Sequence, residues 1–68
     1  MDISQLKYFI SVAQTLNFSE AARRNGISQP AISHHIGELE KQLGCRLFER
    51  SRRSVVMTEQ GREFLPYA

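Results

Sequence analysis

Residues 18–44 read FSEAARRNGISQPAISHHIGELEKQLG. Within this stretch Ile32, Ile36, Leu39 and Leu43 are spaced four, three and four apart. At about 100° per residue they fall within roughly 60° of arc, one narrow apolar stripe on a helix. Ser28 stands where an N-cap is needed, and Pro30 lies in the first turn, where a missing N–H is harmless. Gly44 supplies the left-handed stop. A shorter helix is predicted ahead of it, capped by Ser19, with Glu20 suiting the helix dipole and Gly26 ending it. Ala21 and Ala22 are small enough to let a second helix approach closely, and Ile27 is read as a plug between the two. Asn25-Gly26 would suggest a β-turn, but no alternating apolar pattern flanks it, so it is read as joining helices. Helix, short glycine-containing turn, helix over 18–37 is the helix-turn-helix layout.

Working outward, Ile3, Leu6, Phe9, Ile10, Ala13 and Leu16 recur at spacings of three and four, which predicts a first helix. Asp2 and Gln5 form a capping-box pattern at its start, and Asn17 is its expected stop. Beyond Gly44, a strand is predicted over 46–49 and a second through Val55, Val56 and Met57. The hairpin between them carries Arg50, Arg52 and Arg53 at its tip. Thr58 caps a last helix with Gly61, Phe64 or Leu65, and Ala68 on one face. Pro66 removes a hydrogen bond to the Arg62 carbonyl and should kink or shorten that helix. Phe9, Phe18, Phe48 and Phe64 are read as core. The chain is then mainly α, with three core helices, a two-stranded hairpin and the start of a further helix.

A chain of 68 residues makes one small domain. It buries only about 60% of the surface its unfolded form exposes, so a thin core and marginal stability are expected. No apolar run approaches the roughly 20 residues needed to span a bilayer, and no export signal is seen. The single cysteine, Cys45, forms no internal disulfide, and a multi-cysteine zinc site is excluded. A reducing cytoplasmic setting is expected. Net charge is only +2, but seven of the nine Lys and Arg residues lie in 23–53 against three glutamates, a local +4. A cationic middle of that kind suits a polyanion.

The helix opposite the Ile/Leu stripe presents Pro30, Ser33, His34, Gly37 and Lys41. That face is polar, small near its start and basic further on, as entry into a major groove about 12 Å wide requires. Gln29 carries an amide able to give and accept hydrogen bonds with adenine, and the free N–H groups of the first turn favour a phosphate. Other chemistries fit less well. His34 and Glu38 stand at i, i+4, but adjacent histidines point about 100° apart and no third metal ligand is in sight. Ser33 and His34 likewise diverge and lack an orienting acid, so an enzyme is not expected. Cys45 is read as a half-buried structural thiol. A protein-interaction module on the same fold is the alternative reading, and it predicts no affinity for random duplex at low salt.

The strings LKYFISVAQTLNFSEAA, ISQPAISHHIGELEKQLGCRLFER and MTEQG together resemble the N-terminal domain of the LysR-type transcriptional regulators over essentially the whole chain. SQPAIS at 28–33, LFER at 47–50 and Thr58-x-x-Gly61 are specific in combination. The resemblance implies a winged helix-turn-helix over 1–58, with the helix-turn-helix about 18–37 and the wing about 46–57. Residues 59–68 would then begin a linker helix, truncated here, that makes a homodimer or higher oligomer. A small-molecule effector would bind a separate C-terminal domain, leaving no cofactor in this one. The expected function is sequence-specific binding of double-stranded DNA, with helix 28–43 in the major groove. Base-reading positions carried over by the resemblance are Gln29, Pro30 and Ser33, with His34 added. The resemblance places backbone contacts near Ser19, His34, Arg50 and Arg53, to which Ser28, Lys41 and Arg52 are added. At 34 the family commonly has arginine; His34 offers no bidentate fork and no fixed charge.

Overall fold

A computed structural model describes residues 1–51 and 54–68. Arg52 and Arg53, expected at the hairpin tip, lie outside the described residues. The element order is α1 (Ile3–Thr15), α2 (Phe18–Asn25), α3 (Gln29–Leu43), β1 (Phe48–Arg50), β2 (Val55–Met57) and α4 (Glu59–Phe64), followed by a 3-10 turn, Leu65–Tyr67. The fold is mainly helical with a small antiparallel wing. Phe48 pairs with Met57, Glu49 with Val56 and Arg50 with Val55.

Local chemistry explains most helix ends. Asp2 accepts from Gln5 N–H at 2.8 Å while the Gln5 side chain answers the Asp2 N–H, a closed capping box. Ser28 Oγ accepts from Ala31 N–H at 3.2 Å at the head of α3, and Thr58 Oγ1 accepts from Gly61 N–H at 2.9 Å at the head of α4. Gly26 and Gly44 sit at φ 66° and 74°, where a side chain would be strained. Pro66 ends α4 as its missing N–H requires, and the chain tightens into the 3-10 turn.

Three expectations about boundaries are corrected. The N-cap of α2 is Asn17, whose Oδ1 accepts from Glu20 N–H at 2.9 Å, and Ser19 lies inside the helix. Because Asn17 starts α2, it does not stop α1; that helix ends at Thr15, and Leu16 takes the left-handed position at φ 51°. Thr15 Oγ1 bridges the junction, donating to Ser11 O at 2.8 Å and accepting from Asn17 N–H at 3.2 Å. The first strand begins at Phe48, not at 46. The Leu47 and Phe48 N–H groups are taken by the Glu40 carboxylate at 2.7 and 3.2 Å, so α3 holds this segment from one side while Leu47 O accepts from Thr58 N–H at 3.0 Å on the other. Arg50 is therefore a strand residue facing Val55, not part of the tip.

The core joins Phe9 and Val12 of α1, Phe18, Ala21 and Ala22 of α2, Ile32, Ile36 and Leu39 of α3, and Leu47 and Phe48. The α3 stripe is as expected, with Leu43 half-buried at its end. On α1 the buried face is Gln5, Phe9 and Val12, turned about one residue round from the predicted stripe. Ile3 is 78% exposed and Leu16 43% exposed. Four aromatic rings run through the core. Phe64 meets Phe9 at 5.2 Å, Phe9 meets Phe48 at 5.5 Å, and Phe48 meets Phe18 edge-on at 6.0 Å.

Candidate nucleic-acid interface

Burying Ile32, Ile36 and Leu39 turns the other side of α3 outward. Gln29, Pro30, His34 and Lys41 are exposed, and Ser33 and Gly37 are half-exposed. Among the described residues nothing lies within 4 Å of where a Gly37 Cβ would stand, so none of their backbone demands glycine there. The two histidine rings diverge, with centroids 6.0 Å apart. His35 turns back to the Tyr8 ring at 5.0 Å, so of the two histidines it is His34 that stands on the open face. Among the described residues, no group of three His, Cys, Asp or Glu side chains gathers as metal ligands.

Two contacts tie this face to its surroundings. Ser19, freed from capping, donates its hydroxyl to Gln29 Oε1 at 2.9 Å. The Arg50 guanidinium lies 3.8 Å over the Phe18 ring and donates to Ser33 Oγ at 3.1 Å. Ser19, Gln29, Arg50, Ser51 and Ser54 line one open cleft between the helices and the wing. Four sequence-designated residues thus meet: Ser19 with Gln29, and Ser33 with Arg50. Lys41 stands further along α3, beside Gly37 and Arg46 in a second depression. Ser28 spends its oxygen on the cap of α3.

Cations differ in how far they are already engaged. Arg23 grips Glu20 through Nε at 3.0 Å and Nη2 at 2.5 Å, and Arg24 approaches the same carboxylate at 3.6 Å. The Arg23 hydrogen bond, with the charges of Arg23 and Arg24, holds the Glu20 carboxyl below its ordinary range despite some desolvation. Arg46 pairs with Glu40 at 3.7 Å. The role of Glu40, a carboxylate holding the root of the wing, was missed in the sequence. Its partners, seven and eight residues on, lie past the end of α3, where the chain has turned back and helical periodicity no longer applies.

A family model described as bacterial regulatory helix-turn-helix protein, lysR family, matches residues 3–62. The chain belongs to the LysR family. It is 51% identical over 67 residues to the HTH-type transcriptional regulator IlvR of Caulobacter vibrioides, covering 98% of this chain and 23% of IlvR. It is 52% identical over 61 residues to XapR of Escherichia coli K12, covering 90% of this chain and 21% of XapR. The chain therefore spans under a quarter of these relatives. Among solved structures, the CbnR_DBD-DNA complex superposes with a TM-score of 0.94 at 45% identity, over 98% of this chain and 77% of that one. The BenM_DBD/catB site 1 DNA complex gives 0.93 at 39% identity, over 98% and 75%. These neighbours share the winged helix-turn-helix architecture read from the LysR domain. Among the described residues, no helix is long and apolar enough to cross a membrane.

Proposed function

We propose that this LysR domain binds double-stranded DNA sequence-specifically, with α3 in the major groove and the wing on the flanking backbone or minor groove. The carrying observation is the open face of α3. Apart from the half-exposed Glu38, its side chains are small, polar or basic, and the apolar half of the helix is locked into the core. Gln29, Pro30, Ser33 and His34 read base edges in this proposal, because they sit on the leading half of that face. Ser19, Ser28 and Lys41, with Arg52 and Arg53 of the wing, address phosphates. The relatives are named transcriptional regulators, and structural neighbours are DNA complexes, which supports the reading. The domain itself performs no catalysis in this proposal.

The whole protein would be a cytoplasmic transcription regulator. Residues following α4 would continue as a linker helix and dimerise it, setting two half-sites about 34 Å apart or a multiple of that. A small-molecule effector would bind a further C-terminal domain, and this one needs no cofactor. Selection of bound duplexes from a random pool, followed by titration at several salt concentrations, tests the proposal. A defined motif and a steep salt slope are expected. No binding to any duplex at low salt would replace it with the protein-interaction reading.

A further inference from the structure

We infer that Arg50, a wing residue, is a positioning residue for Ser33 and thereby sets which base edge the recognition helix reads. The inference rests on the DNA-binding reading and adds to it a division of labour within the cleft. Arginine at the end of a wing strand is read by default as a phosphate contact, but the geometry is different. The guanidinium carbon lies over the Phe18 ring, 3.8 Å from its centroid, and the attraction of the cation to the ring face holds it in place. From there Nη1 donates to Ser33 Oγ at 3.1 Å, across 17 residues of sequence. Phe18 is itself 5% exposed and braced edge-on by Phe48. The platform under Arg50 is therefore part of the core.

Arginine has five N–H donors and no acceptor, so in this pair Ser33 can only accept. The Ser33 proton is not used by that bond. A hydroxyl that accepts from a cation is polarised toward donation, as in any hydrogen-bond chain. Ser33 then donates to an acceptor on a base edge: a purine N7, guanine O6 or thymine O4. Lysine keeps the charge of Arg50 but lacks the planar fork that lies over Phe18 and reaches Ser33 together. Charge and positioning are consequently separable by substitution.

The test uses the 68-residue chain and the duplex motif selected by it. Ser33→Ala first identifies the base pair whose preference depends on Ser33. Arg50→Lys should flatten the preference at that same pair by about fivefold or more, the low end of one good base contact. The Ser33→Ala/Arg50→Lys double variant should lose no more preference than Ser33→Ala alone. Arg50→Gln should lower the salt slope on random duplex by well under the one unit that losing a phosphate contact costs, roughly 0.9 per phosphate. If Arg50→Lys keeps the preference, if the double variant is additive, or if Arg50→Gln drops the slope by a full unit, Arg50 is a plain phosphate contact and the inference fails. Those outcomes all leave wild-type DNA binding intact. A wild-type chain that ignores duplex at low salt would instead remove the underlying reading.

Discussion

Gly37 and Gly61 both lie inside helices, and replacing each by alanine should move stability in opposite directions. On an exposed helix, Gly→Ala gains about 1 kcal/mol from backbone entropy and solvation. At Gly37 no described residue lies within 4 Å of a built Cβ, so that gain should appear almost whole, about 0.5–1 kcal/mol. At Gly61 the same atom would stand 3.1 Å from the Leu47 carbonyl carbon and 3.3 Å from its Cα, and closer still to the carbonyl oxygen. That oxygen cannot swing away, because it accepts from Thr58 N–H at 3.0 Å. Thr58 in turn caps α4 and donates to Arg46 O at 2.6 Å. The helix must retreat from the wing root as a body. Forced overpacking costs typically 1–3 kcal/mol, and backbone that is pinned on both sides belongs at the upper end. After subtracting the helical gain, a net loss of about 1–2 kcal/mol is expected. In a domain of this size, 1 kcal/mol moves Tm by about 4–8 °C. Thermal unfolding followed by far-UV circular dichroism should show Gly61→Ala melting roughly 5–15 °C lower and Gly37→Ala a few degrees higher. Equal shifts in the two variants, or a Gly61→Ala protein as stable as wild type, would refute the argument from close approach.

Glu40→Ala should cost about 2–3 kcal/mol in denaturant unfolding, because it strands the Leu47 and Phe48 N–H groups; Glu40→Gln, which keeps one acceptor, should cost less. An alanine variant within 0.5 kcal/mol of wild type would show that water replaces the carboxylate. The Glu20 carboxyl is held low by Arg23, so its contribution is present above the ordinary glutamate pKa of about 4.3 and lost as pH falls through the depressed folded value. Melts of wild type against Glu20→Gln should therefore differ at pH 6 and converge only once the pH has fallen below the depressed folded value, with salt shrinking the difference. For DNA, Gln29→Ala should relax the selected motif, whereas Lys41→Ala should weaken all duplexes alike and flatten the salt slope by roughly one unit. Uniform weakening by Gln29→Ala would undo the assignment of base reading to the head of α3.

Features whose cause lies within four residues, and that had no local competitor, were legible in the sequence. The Asp2–Gln5 box, the Ser28 and Thr58 caps, the Gly26 and Gly44 stops and the α3 stripe all depend on neighbours along the chain. A hydrogen bond or a helical turn at that range needs no tertiary partner, so residue order is enough. The resemblance of the family strings implied the winged fold and supplied the interface residues as a proposal.

Wherever two local readings competed, three-dimensional packing chose between them. Asn17 and Ser19 are both good N-caps, and the difference is that Ser19 finds Gln29 ten residues away. Either flank of α1 offers apolar residues, and only docking against α2 and α3 decides that Val12 is buried and Ile3 is not. Arg50 looks like one more cation of a basic wing until Phe18 and Ser33 are seen beneath it. Each of these outcomes depends on distances between segments, a quantity that residue order constrains but does not contain.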